Sequence, residues 1–235
     1  MVVHDRQRGF SDKLLVVHQL LLEEYGHHRW RPHRDPLSEL VRTILSQNTS
    51  DVNSDRAFAR LRERFPSWEQ VRDGDPEAIV EAIELGGLAR IKAPRIKAAL
   101  QAITEERGEL DLEFLREMEL DKAKAWLESL VGVGPKTAAC VLLFSLGRPV
   151  LPVDTHVHRV SRRLGLIEPG TSAERAHEIL GGMLPDGAIY DFHVNMVSHG
   201  RQICDAQRPR CEVCVLAPQC DYLHGGRRWR DERPR

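Results

Sequence analysis

The segment LVGVGPKTAACVLLFS puts a lysine, Lys136, one residue past a proline and just behind two glycines, Gly132 and Gly134. The VGVG stretch is too short for anything but a tight connection between two helices, and both glycines are expected to take positive φ there. Amides of such a turn, with the unpaired N–H groups of the following helix, form a small positive pocket suited to a phosphate. Pro135 has no N–H to give, which leaves Gly132, Gly134 and Lys136 as donors. Taken alone, a GxG turn is as easily a plain helix–helix connection, so the lysine carries the argument. Near a helix N-terminus the dipole disfavours an ammonium, and the free amine is the nucleophilic form. Further along, in LPVDTHVHRVSRRLGL, Asp154 precedes a helix bearing Val157, Val160 and Leu164. Capping is the ordinary role of such an aspartate. A capped carboxylate is also ionised and fixed in orientation, which suits it to stabilise a developing cation. His156 and His158 read as packing or surface residues.

A second group of reactive side chains lies in HGRQICDAQRPRCEVCVLAPQC, where Cys204, Cys211, Cys214 and Cys220 follow a C-x6-C-x2-C-x5-C spacing. Their crowding favours a metal site in a reducing compartment over a disulfide scaffold. Four thiolates can close a zinc site or anchor an iron–sulfur cluster, and one C-x2-C pair flanked by two single cysteines is unlike the paired knuckles of a zinc ribbon. Cys140, inside the apolar helix after Lys136, reads as a small buried hydrophobe. Arg208 and Arg210 sit on the loop between the first two cysteines of the run, placed to meet backbone phosphates.

The elements that must position these groups are helical, and the fold class is all-α. Asp35-Pro36 and Asp75-Pro76 each pair an N-cap with proline at the first helical position. The first of these helices carries Leu37, Leu40, Val41, Ile44 and Leu45 and ends near Gln47; the second carries Ile79, Val80 and Ile83 and stops at Gly86-Gly87. Asp51 is expected to cap a helix with Val52, Phe58, Leu61 and Phe65 on its apolar face, closed by Pro66. Ile91, Ile96, Leu100 and Ile103 mark another, and Trp126, Leu127 and Leu130 the one before the glycine turn. Thr171 and Glu174 read as a capping box, and a last long helix runs from about Ile189 to Ile203. With 41% hydrophobic and 29% charged residues, and no apolar run near the roughly 20 residues of a membrane span, a soluble cytoplasmic protein is expected. The charged start MVVHDRQRGF lacks the apolar centre of a signal peptide. Net charge is only −1, so any affinity for a polyanion must be local; the segment GGRRWRDERPR, with five arginines against Asp231 and Glu232, is one such place, though it reads first as a solvated end.

The stretch LVGVGPKTAACVLLFSLGRPVLPVDTHVHRV resembles the helix-hairpin-helix and following Gly/Pro-rich loop with its aspartate in the endonuclease III family of DNA glycosylases. Val131 stands where the family more usually has proline, and Pro135 where it has a basic or polar residue. The resemblance covers roughly residues 35–222. It implies a bifunctional glycosylase and abasic-site lyase acting on oxidised pyrimidines, with Lys136 attacking C1′ of the deoxyribose and Asp154 supporting departure of the base. It assigns the cysteine run at 204–220 to a [4Fe-4S] cluster, with a structural role. It also implies a six-helix barrel over 38–148, a cluster domain from 1–37 plus 149–235, and a catalytic cleft between them. Damaged or abasic double-stranded DNA is the expected partner of a monomer, nucleoid-associated if the source is prokaryotic. A base must leave the duplex before C1′ can be reached, and the family carries its gap-filling polar residue where Gln47, Asn48 and Thr49 stand in ILSQNTSD, Asn48 aligning best. Other readings remain open: a mismatch- or alkylated-base glycosylase on the same scaffold, a non-catalytic helix-hairpin-helix DNA-binding protein, or a zinc-stabilised DNA module.

Overall fold

The computed structural model describes residues 2–225, with side chains from Asp12 onward; the basic stretch beyond Gly225 lies outside the described residues. Among these residues every regular element is helical, and no helix is long and apolar enough to cross a membrane. Two compact units divide the chain: Arg31–Arg148, and the segments on either side of it, which begin with α1 (Val2–Tyr25).

Within Arg31–Arg148 the central element is α2 (Pro36–Ser46). Its five expected apolar residues are buried, and so are Ser38, Glu39 and Thr43, so the helix is surrounded rather than half-exposed. Around it stand α3 (Asp51–Arg64), α4 (Trp68–Asp73), α5 (Pro76–Ile83), α6 (Ala89–Arg107), α7 (Leu120–Glu128) and α8 (Pro135–Cys140). α8 runs on into a π-helical turn, Val141–Ser145. The caps explain where several helices begin. Asp35 accepts from the Ser38 amide at 2.9 Å and Asp75 from that of Ala78 at 3.2 Å. For α3 the cap is Ser50 rather than Asp51: the Ser50 hydroxyl accepts from the Asn53 amide at 3.3 Å, and Asp51, one position on, pairs with Arg42. Val52 and Ile91 do not join the core either, being 60% and 48% exposed at the starts of their helices.

Burial of α2 creates a problem at its C-terminal end, where helix carbonyls have lost their intrahelical donors. Lys92 answers it. The side chain is 1% exposed, and its Nζ donates to the carbonyls of Leu45 at 2.6 Å and of Gly86 at 2.8 Å. Burial pushes its ammonium below the ordinary lysine range.

In the other unit α9 (Thr155–Leu164), α10 (Ala173–Gly181), α11 (Ile189–Gln202) and α12 (Asp221–His224) join α1. α11 packs against both α1 and α9, and α10 and α12 rest on α9. Ser172, not Thr171, caps α10 through the Arg175 amide. Asp191 holds the chain that leaves α1, accepting from the His28 amide at 2.7 Å while pairing with His27 Nδ1 at 2.8 Å. Gly200 of α11 lets α9 come close, since a Cβ there would lie 2.8 Å from that of His156.

Lys92→Met keeps the side chain's bulk and deprives two buried carbonyls of their donor. Unfolding in urea is expected to show a loss of about 2 kcal/mol with an unchanged denaturant slope; an unmoved midpoint would show that the carbonyls find other partners.

Candidate functional site

The connection between α7 and α8 is the hairpin expected from VGVG. Gly132 has φ +81°, and a Cβ there would fall 2.7 Å from Cδ of Arg95, so both backbone and space require glycine. Gly134 differs from expectation: its φ of −108° and ψ of −178° are extended values open to any residue, and nothing lies within 4 Å of the place its Cβ would take. As the N-cap of α8 with no side-chain bond, it stands where serine would serve the helix better. The fold does not require this glycine, which leaves a bare backbone facing open space. Lys136 follows at the second position of α8, half-buried and with no hydrogen bond or ion pair to the described residues. Its neighbour Thr137 is buried.

The turn between α2 and α3 presents Asn48 on the surface with φ +53°. A non-glycine residue in the left-handed region is strained, and asparagine is among those that bear it best. Thr49 closes the turn through its amide on the Ser46 carbonyl at 3.4 Å. Gln47 faces inward. Its Nε2 donates to the Gly132 carbonyl at 3.0 Å and to Thr137 Oγ1 at 3.5 Å, and its Oε1 accepts from Arg95 Nη1 at 3.3 Å.

In the other unit Asp154 caps α9, with Oδ1 accepting from the Val157 amide at 2.8 Å. The carboxylate is half-buried, and its second oxygen has no partner among the described residues. α9 also organises the cysteine loop. Arg159 donates to the carbonyls of Cys204 and Gly200 at 3.0 and 2.8 Å. Arg163, 5% exposed, reaches the carbonyls of Asp205 and Ala206 and the Cys204 Sγ, the last at 3.3 Å, while lying 4.9 Å from the Tyr222 ring centre.

Cys204 lies near enough to bear on the thiols of Cys211, Cys214 and Cys220, and none of the four is in a disulfide. Burial first, and neighbouring thiols next, push the Cys214 thiol up to about 11 and raise those of Cys211 and Cys220. Among the described residues no three His, Cys, Asp or Glu side chains already have metal-binding geometry. Four soft donors with a buried guanidinium against one sulfur nevertheless suit a thiolate-bound cluster, whose negative charge Arg163 would offset. His199 touches the same group, its Nε2 lying 3.5 Å from Cys214 Sγ and its Nδ1 3.0 Å from the Tyr25 hydroxyl. Burial lowers the His199 imidazole to about 4, so it is neutral at pH 7. Asp205 folds the loop by accepting from the amides of Gln207 and Arg208, both at 2.9 Å, and the side chains of Arg208 and Arg210 project into solvent. Cys140 is 4% exposed within α8.

A helical hairpin with a bare glycine amide, a lysine on its second helix and an aspartate-capped helix after a Gly/Pro-containing loop define a class of nucleic-acid repair fold. The chain belongs to the HhH-GPD superfamily of base excision DNA repair proteins, whose family model matches residues 41–185. It is 36% identical over 188 residues to endonuclease III of Thermotoga maritima, a match covering 80% of this chain and 84% of that one. It is 40% identical over 183 residues to a candidate DNA glycosylase of Arabidopsis thaliana, where the match covers 78% of this chain but only 61% of the longer plant protein. A solved endonuclease III–DNA complex superimposes with a TM-score of 0.79 at 27% identity, covering 93% of this chain and 98% of that one.

Lys92, Arg95 and Thr137 stand behind the candidate site and escaped sequence reading, because lysine and arginine in a helix read as solvent-facing and threonine beside a lysine carries no signal. Gly132→Ala is expected to lower Tm by several degrees, the left-handed penalty alone being about 1–2 kcal/mol. Gly134→Ser should leave Tm unchanged or raise it slightly through capping, and a fall as large as that for Gly132→Ala would show that the fold itself requires glycine there.

Proposed function

We propose that this chain is a bifunctional DNA glycosylase and abasic-site lyase that removes a damaged base, an oxidised pyrimidine in the first instance, and then cuts the strand by β-elimination. The observation that carries the reading is Lys136 itself: an amine without a partner at the start of a helix whose preceding turn offers bare amides. Amides of Gly134 and Lys136 bind a backbone phosphate. Asn48 enters the gap left when the target nucleotide turns out of the stack. The Lys136 amine attacks C1′, the C1′–N bond breaks with its electron pair leaving on the base, and the ionised Asp154 stabilises the cationic sugar. Opening of the sugar ring gives an imine between Lys136 and C1′. Loss of a C2′ proton then expels the 3′ phosphate, and water hydrolyses the imine to free the lysine. Exposed Arg208 and Arg210 add phosphate contacts.

Cys204, Cys211, Cys214 and Cys220 would hold a [4Fe-4S] cluster, whose bonds to iron would fix the loop bearing those two arginines. Support for the reading comes from the donor set, from Arg163 beside Cys204, and from relatives named endonuclease III. The protein is proposed to act as a monomer in the cytoplasm.

Duplexes carrying thymine glycol, uracil, a G·T mismatch or an abasic site, each incubated with and without borohydride, test the chemistry and name the substrate. Wild-type protein is expected to cut the strand and leave a trapped adduct, and Lys136→Ala to lose the adduct. Asp154→Asn keeps a helix cap and is expected to slow base release by about a hundredfold or more with little change in binding, in line with loss of one charge-stabilising group. An adduct that persists in Lys136→Ala would overturn the nucleophile, and a preference for G·T would redirect the substrate. For the loop, protein purified without oxygen should be brown, with about four irons per chain; substituting Cys211 by serine should remove colour and iron together, whereas a colourless protein holding zinc would exclude the cluster.

A further inference from the structure

The Gln47 side chain makes hydrogen bonds to three segments. Arginine can only donate and a carbonyl can only accept, so Arg95 at Oε1 and Gly132 O at Nε2 fix which way the amide faces. Both amide hydrogens are used, one on the hairpin turn and one on Thr137, the residue after Lys136. The stem of Arg95 meanwhile lies against Gly132, filling the space a Cβ would need. Lys92, three residues earlier on the same face of α6, grips the Leu45 carbonyl two residues before Gln47. The exposed Asn48 is therefore joined, through the residue before it, to both the turn and the helix of the hairpin.

We propose that Gln47 is a positioning residue that couples the α2–α3 turn to the hairpin, so that seating of Asn48 in the duplex and gripping of the backbone by the Gly134 amide occur as one event. The inference rests on the proposed function in taking Asn48 and the hairpin as the two DNA-contacting elements. Each hydrogen bond in the set joins segments far apart in sequence, and a rigid link between two contact points makes their contributions to binding interdependent.

The test is a thermodynamic cycle on a duplex bearing a tetrahydrofuran abasic-site analogue, which is bound but cannot react with Lys136. Dissociation constants are measured for Asn48→Ala, Gly134→Ser and the two combined, first in the wild-type background and again in Gln47→Met. In the wild-type background the combined effect is expected to differ from the product of the single effects by on the order of fivefold. In Gln47→Met the single effects should multiply within about twofold. Arg95→Met, which keeps an aliphatic stem on Gly132 and removes the donor, repeats the measurement in case Gln47→Met unfolds, and should weaken the coupling too. Coupling that survives both substitutions, or is absent from the wild type, would overturn the role of Gln47 while leaving the glycosylase reading in place. If neither Asn48→Ala nor Gly134→Ser weakens binding, the assignment of the DNA-contacting elements fails, and with it the premise of the inference.

Discussion

A helix buried on all sides must end somewhere, and in this protein α2 ends in the interior beside the residues of greatest chemical interest. Ser46 and the turn that follows meet the carbonyls of Thr43, Ile44 and Ser46, while that of Leu45 takes its donor from α6. Lys92 supplies an ammonium for Leu45 and, with the same group, ties down the carbonyl of Gly86. Because that cation is nearly inaccessible, removing it would leave polar atoms with nowhere to go, whereas keeping it costs only the desolvation of a well-coordinated ammonium. One turn further along α6, Arg95 extends the arrangement to Gln47 and the hairpin. The shape of the surface at Asn48 and Gly134 thus depends on satisfying hydrogen bonds beneath it.

Much of this architecture can be read in the amino acids, and the failures have common causes. Asp35-Pro36 and Asp75-Pro76 mark true helix starts because cap and proline act within one turn and need no tertiary help. Ser50 and Ser172 displaced Asp51 and Thr171 as caps because in each place two adjacent residues had suitable side chains, and only the path of the incoming chain selects between them. Val52 and Ile91 fit an apolar period yet face outward, since the first turn of a helix can overhang the core. At the site, Lys136, Asp154 and the cysteines stand out by residue type and spacing. The inner layer of Lys92, Arg95 and Thr137 does not, because its meaning arises only when distant segments meet. Gly134 is the reverse case: the motif shows the glycine, and only the backbone angles show that the fold has no use for it.

Charge is handled locally. With a net charge of only −1, the proposed contact with a polyanion rests on a few oriented groups: bare amides at the hairpin and arginines on the cysteine loop. Two of the three arginines of α9 serve a different end. Arg159 and Arg163 turn their guanidinium groups inward onto carbonyls of the loop and the Cys204 sulfur, so they act as braces rather than as surface charge.

Those braces give α9 two tasks at opposite ends. Its N-terminus is capped by Asp154, and it is clamped to the cysteine loop from its middle by Arg159 and from its last turn by Arg163. Ten residues of helix make a rod of about 15 Å. A tilt of about 5° at the clamped end would carry the carboxylate by roughly 1 Å, a displacement that catalysis tolerates far less readily than folding does. The loop therefore works as a strut for a distant carboxylate. If Asp154 has the catalytic role proposed for it, damage to this strut would register as lost rate well before it registers as lost structure.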